Sequence, residues 1–126
     1  MTNAFLRLAF LAALACAIQP ALAKVVVKKG VYAAIALQRE TGQLGYAYNG
    51  ATSRAAKIEA LNQCADPRCE VVAAFSNACG AVARNPARGP KGYSAATGAT
   101  RPEAESKALR LCAATDCAIT AWACTR

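Results

Sequence analysis

GATSRAAKIEALNQCADPRCEVVA, residues 50–73, returns 48 residues later as GATRPEAESKALRLCAATDCAITA, residues 98–121. Gly50, Ala51 and Thr52 align with Gly98, Ala99 and Thr100. Ala60 and Leu61 align with Ala108 and Leu109, and Cys64 and Cys69 with Cys112 and Cys117, without a gap. A period of this length marks one supersecondary unit used twice.

Each copy starts with a helix signal. Thr52 is placed to N-cap a helix from about Ser53 to Ala65, its side-chain oxygen accepting a free first-turn N–H. Thr100-Arg101-Pro102-Glu103 has the T-x-x-E pattern of a capping box, with proline in the first turn where it is tolerated. Ala56, Ala60, Leu61 and Cys64, and likewise Ala104, Ala108, Leu109 and Cys112, form an apolar stripe expected to face the core. A short link then leads into a strand. CEVVAAF places Val71, Ala73 and Phe75 on one face, and CAITAWAC places Ile119, Ala121 and Ala123 on one face, with Thr120, Trp122 and Cys124 opposite.

Upstream of each helix the pattern also repeats. Residues 30–37, GVYAAIAL, read as a largely buried strand, residues 38–43, QRETGQ, as a turn, and residues 44–48, LGYAY, as a second strand. CGAVA, residues 79–83, the loop RNPARGPK, residues 84–91, and GYSA, residues 92–95, give a shorter version. The expected fold is α+β. Two strand–strand–helix–strand repeats, about 30–78 and 79–126, form a single domain with one mainly antiparallel sheet and both helices on one face. The approximate twofold relation implies that equivalent elements of the halves pack against each other.

The first 23 residues read as a secretory signal peptide. Arg7 precedes an apolar run from Leu8 to Ile18, and Ala21-Leu22-Ala23 supplies a small-x-small cleavage site before Lys24. Residues 24–29, KVVVKK, form a basic lead-in. The apolar run is short for a transmembrane helix, and no later segment is apolar enough to span. The chain is therefore expected to be exported, periplasmic or extracellular, as a monomer. The competing reading, a lipoprotein box at Cys16, has Leu14 one place too close to the cysteine.

Removing the signal segment removes Cys16 and leaves six cysteines, an even number in a short exported chain, which reads as a disulfide framework. Local bridges Cys64–Cys69 and Cys112–Cys117 span the helix-to-strand links. By subtraction Cys79–Cys124 then ties the two halves together. Six cysteines allow 15 connectivities, and a crossed pairing between equivalent cysteines of the halves is the rival. Zinc and redox uses of the two C-x₄-C pairs are disfavoured. Export and the absence of histidine argue against metal, and a cysteine at a helix C-terminus lacks the dipole that stabilises a thiolate. No cofactor is expected.

The whole chain has 15 Lys or Arg against 7 Asp or Glu. An exported basic protein is drawn to anionic surfaces, but cations scattered along the chain are more simply read as serving solubility. The absence of histidine excludes Ser-His-Asp and Cys-His catalysis of the usual kind, and no phosphate-binding glycine loop is present. The seven carboxylates show no paired placement, and Glu70, at the start of a strand where it could face inward, has no evident partner. The chain is therefore read as a non-enzymatic binding module, with a small carboxylate-using hydrolase of the cell envelope as the alternative. A specific version is an inhibitor or immunity protein. The candidate recognition loop holds Arg84, Arg88 and Lys91 among two prolines and a glycine, although the plainer reading is a hairpin loop made soluble by its charge. The expected partner is a protein or an anionic envelope polymer. Nucleic acid is not expected, since no helix clusters Arg or Lys. Tyr32, Tyr46, Tyr48, Tyr93 and Trp122 could instead line a ligand surface, although strand aromatics usually serve the core.

Taken together, these residues resemble an exported bacterial family, the domain of unknown function numbered 4189. The resemblance spans Gly30 to Cys124. It rests on Tyr32-Ala33-Ala34-Ile35-Ala36, on Phe75-Ser76-Asn77-Ala78-Cys79-Gly80-Ala81, on Gly98-Ala99-Thr100 with the helix that follows, and on Ala121-Trp122-Ala123-Cys124-Thr125. RNPARGPKGYSAATG departs from the more aromatic, glycine-rich form of that family. The resemblance implies a small secreted domain and no established reaction, so no catalytic residue carries over.

Overall fold

The computed structural model describes residues 31–125; the signal segment, the basic lead-in and Cys16 lie outside them. The chain order is β1 (Tyr32–Leu37), β2 (Leu44–Gly50), α1 (Ser53–Cys64), β3 (Glu70–Ser76), β4 (Cys79–Arg84), β5 (Tyr93–Gly98), α2 (Arg101–Cys112) and β6 (Ala118–Cys124). Short 3-10 turns over Pro86–Gly92 join β4 to β5. The fold is α+β and disulfide-stabilised, and strand–strand–helix–strand occurs twice.

The expected single sheet is in fact two. β2-β1-β3 and β5-β4-β6 are separate three-stranded antiparallel sheets, one per repeat. The helices do not share a face either. Ala34, Ala36 and Ala47 pack with Ala56, Ala60 and Cys64 under α1. Cys79, Ala81 and Ala83 pack with Ala104, Ala108 and Cys112 under α2. A third cluster lies between the sheets and joins Ile35, Leu37 and Phe75 to Val82, Ala121 and Ala123. The order of layers is helix, sheet, sheet, helix. The physical reason is that β1 and β4 are almost wholly buried. Each central strand has two apolar faces, and each face needs its own cover.

Alanine sets the spacing of the outer layers. A Cβ added to Gly45 of β2 would sit 2.0 Å from the Ala60 carbonyl oxygen and 2.4 Å from the Cys64 nitrogen, so α1 rests directly on the strand backbone. The stripe is narrower than expected. Ala56, Ala60 and Cys64, and Ala104, Ala108 and Cys112, are buried, whereas Leu61 is half-buried and Leu109 is 37% exposed. Leu61 packs at the margin of the α1 cluster, whereas Leu109 turns to solvent.

The outer strands β3 and β6 differ from strict alternation at equivalent places. Ile35 pairs with Ala73 but Ala36 pairs with Val71, leaving Val72 as an extra residue. Val82 pairs with Ala121 but Ala83 pairs with Ile119, leaving Thr120 extra. One extra residue reverses the facing of everything before it. Val71 and Ile119 therefore turn to the helices, while Ala73, Phe75, Ala121 and Ala123 face between the sheets.

The caps form at both helix starts. Thr52 Oγ1 accepts from Ala55 N at 3.0 Å, and Thr100 Oγ1 accepts from Glu103 N at 3.3 Å. Each helix ends on an alanine in the left-handed region, Ala65 at φ 57° and Ala113 at φ 56°.

The structure joins Cys64 to Cys69 and Cys112 to Cys117, and Cys79 to Cys124. The last bridge does not tie the halves. Cys79 and Cys124 face each other across β4 and β6 inside the second sheet. The equivalent facing pair in the first sheet is Tyr32 and Ser76. What holds the halves together is the apolar layer between the sheets.

The ends of the described chain meet at the β3–β4 link. Val31 O accepts from Ser76 Oγ at 2.9 Å, and Thr125 N donates to Ala78 O at 2.9 Å. Both hairpin loops lie at the opposite end of the sandwich.

Candidate functional site

At that opposite end, two amide side chains shape the two hairpin loops. Gln38, 1% exposed, follows β1. Its Oε1 accepts from Glu40 N at 2.6 Å and Thr41 N at 3.2 Å, its backbone N–H donates to Gln43 O at 2.8 Å, and its Nε2 is buried without a partner. Asn85, 8% exposed, follows β4. Its Oδ1 accepts from Ala87 N at 3.1 Å, and its N–H donates to Gly92 O at 2.8 Å. Arg88 N closes a turn back to Asn85 O at 3.2 Å. Gly92 is needed beneath it, because a Cβ there would come within 2.2 Å of Asn85 O. The segment read as a plain hairpin loop is thus a pinned pair of 3-10 turns, kinked at Gly89, where φ is 56°.

The pinned turns leave Arg84, Arg88 and Lys91 exposed. None of the three makes an ion pair among the described residues. The pairs that do form are Arg39–Glu70, Arg68 with Glu40 and Asp66, Arg101–Glu105 and Lys107–Glu103. Five carboxylates are thereby neutralised locally, and Glu59 accepts from Gln63 Nε2 at 2.9 Å. The charge left uncompensated includes Arg84 at the end of β4 and Arg88 and Lys91 on the turn after it. Arg54, Lys57 and Arg110 are likewise exposed and unpaired among the described residues, but they sit on the helices.

Beside the turn a cleft of about 240 Å³ opens between the sheets. Leu37 and Val82 form its floor, and edge-strand residues 70–72 of β3 and 93–95 of β5 form its walls. Arg39 stands at its mouth. It is paired with Glu70, and its Nη1 lies 3.5 Å from Tyr93 O. The Arg84 guanidinium lies 5.5 Å from the Tyr93 ring centre. Glu70 therefore has a partner, Arg39, 31 residues away in sequence, which no local spacing could reveal. It is exposed rather than inward-facing.

The carboxylates with shifted acidity have structural causes. The Arg68 backbone N–H and then its guanidinium hold Asp66 below the usual carboxylate range. Lys107, followed by the Ala99 N–H, does the same for Glu103. Burial, then the neighbouring Tyr48, pushes the Tyr46 hydroxyl up.

The aromatic residues do not form one surface. Tyr46 and Tyr48 stack 6.0 Å apart along β2, beside a separate groove under α1. Tyr93 belongs to the cleft, and Trp122 lies under the Arg101 guanidinium at 3.8 Å. Gln38, Asn85 and Arg39 escape a reading of local motifs. The signal for the first two was an amide one residue beyond each central strand, displaced by a single position from the period of 48.

Comparison with known proteins agrees with this architecture. The family model described as "Domain of unknown function (DUF4189)" matches residues 32–124, and the chain belongs to that family. Among solved structures it is similar to the NMR structure of Rv1813c from Mycobacterium tuberculosis. Identity is 37% over 76% of this chain and 75% of that one, with a TM-score of 0.59. No curated protein matches the chain.

Proposed function

We propose that this member of the family is an exported, non-catalytic binding module that engages an anionic partner through the rigid turn carrying Arg84, Arg88 and Lys91. The observation that carries this reading is the charge distribution. Three exposed cations, Arg84 at the end of β4 and Arg88 and Lys91 on the pinned turn that follows, have no carboxylate partner among the described residues, while five of the seven carboxylates pair elsewhere. A preorganised turn loses little entropy on binding, and unpaired surface cations attract anions from a distance.

Export rests on the signal-like segment and agrees with the three disulfides, which persist in oxidising compartments. Among the described residues no helix is long and apolar enough to cross a membrane.

The test compares two variants of equal net charge against a poly-glutamate probe. One carries Arg84→Gln, Arg88→Gln and Lys91→Gln, the other Arg54→Gln, Lys57→Gln and Arg110→Gln. The expected result is salt-sensitive binding lost in the first and retained in the second. Equal losses in both would reduce the effect to diffuse net charge and overturn the reading.

A further inference from the structure

We infer that the partner of this site is an extended acidic peptide, which adds as a fourth strand to the free edge of β5 with its carboxylates on Arg39 and the turn cations. This rests on the anion-binding reading above and names the partner's chemistry.

The first ground is the condition of the four sheet edges. An exposed edge strand is a template for another strand, and proteins usually blunt it with bulges or charges. β3 and β6 carry the bulges at Val72 and Thr120, and the β1–β2 ladder is irregular between Tyr32 and Ala34. β5 alone pairs in unbroken register along its whole length. Its sequence, YSAATG, has no charge and no proline.

The second ground is the direction of its backbone groups. Asn85 N donates to Gly92 O at 2.8 Å, which makes these two a hydrogen-bonded pair. Alternation along an antiparallel ladder then turns the N–H and C=O of Tyr93, Ala95 and Thr97 away from β4. Arg39 Nη1 rests 3.5 Å from the outward Tyr93 carbonyl, a long contact at the place where an incoming strand would dock.

The third ground is charge. Arg39 is held at that edge by Glu70. A peptide carboxylate arriving there takes the place of Glu70 on the guanidinium, while further carboxylates meet Arg84, Arg88 and Lys91. A row of alternating donors and acceptors is matched by a peptide backbone, which a lipid head group or polyphosphate cannot supply. The groove beside β2 and α1 is the weaker candidate, since Glu59 is the only charged residue lining it.

The experiment uses a capped heptapeptide of alternating threonine and glutamate. Calorimetry reads affinity, and amide exchange reads Tyr93, Ala95 and Thr97. Binding should slow exchange at those three amides about tenfold at saturation. N-methylation of alternate peptide nitrogens should weaken binding about tenfold, equivalent to ~1.4 kcal/mol. Glu70→Gln should tighten binding by removing the competing carboxylate. A methylated peptide that binds equally well, with no protection along β5, would overturn strand addition. If the Arg84/Arg88/Lys91 variant still loses binding in that case, the anion-binding reading survives on its own. Vesicles of phosphatidylglycerol that bind the protein and are not displaced by the peptide would also overturn the proposal.

Discussion

Gln38 and Asn85 are one anchor used twice. Each is a buried amide one residue past a central strand. The side-chain oxygen of each accepts from the backbone of its loop, and the backbone N–H of each donates across the hairpin at 2.8 Å. The local disulfides sit against the same loop carbonyls: Cys64 Sγ lies 3.6 Å from Gln43 O and Cys112 Sγ lies 4.0 Å from Gly92 O. Loops so different in sequence, RETG and PARGPK, are thus built on the same base.

Replacing either anchor should loosen its own loop. Asn85→Ala removes an acceptor for Ala87 N and should cost about 1 kcal/mol, as for a lost cap. Gln38→Ala removes the acceptor for the N–H groups of the exposed residues Glu40 and Thr41, but also removes an Nε2 group buried without a partner, and should cost about 1 kcal/mol. Chemical denaturation measures the cost. Amide exchange should accelerate at Ala87 and Arg88 in the first variant, with the β1–β3 ladder unchanged.

The helix ends offer a stabilising change. Ala65 and Ala113 occupy the left-handed region, where a Cβ is penalised and glycine is not. Both are exposed, so nothing is lost from the core. Ala65→Gly and Ala113→Gly should each raise stability by roughly 0.5–1 kcal/mol, partly offset by the freer unfolded chain. A lower midpoint in urea for both would contradict the role given to these caps.

The three disulfides should not be equal. Cys79–Cys124 closes a span of 45 residues, against 5 for each local bridge. Chain-entropy arguments make the long bridge worth about 2 kcal/mol more. Thermal unfolding of the Cys79→Ala, Cys124→Ala protein should therefore occur well below that of the Cys64→Ala, Cys69→Ala protein. The reverse order would place the main constraint at the helix-to-strand links.

Acid should loosen the start of α2. Glu103 is more acidic in the fold than in an unfolded chain, because Lys107 and the Ala99 N–H favour its charged form. A depressed carboxylate stabilises the fold at every pH above its unfolded pKa. That stabilisation fades as pH falls from the ordinary carboxylate range through the lower folded value. Asp66 titrates with the same sign. Glu103→Gln should be less stable than the parent at neutral pH, and the difference should shrink below about pH 4, the ordinary carboxylate range. Melting temperatures across pH 2–7 test this directly.

The repeat and its order of elements were legible because they are local. Thr52, Thr100 and the alanine stripes announce two helices, and the cysteine spacings mark the links after them. The layering was harder. YAAIAL and CGAVAR read simply as buried strands, yet a strand without alternation needs cover on both faces. That property alone favours a double sandwich over a single sheet. The reversed facing of Val71 and Ile119 was hidden because a bulge depends on the partner strand. The Arg39–Glu70 pair was hidden because only the fold brings β1 and β3 together there.

The meeting of Val31, Ala78 and Thr125 at one end gives the molecule a polarity. Val31 and Thr125 both lie at the pole farthest from the basic turn and the β5 cleft. A tether attached at Val31 or Thr125, to a surface or to another domain, would leave the basic turn and the edge of β5 facing outward. Joining those termini and opening the chain at Asn77 would reverse the order of the halves while leaving every pairing within each sheet intact.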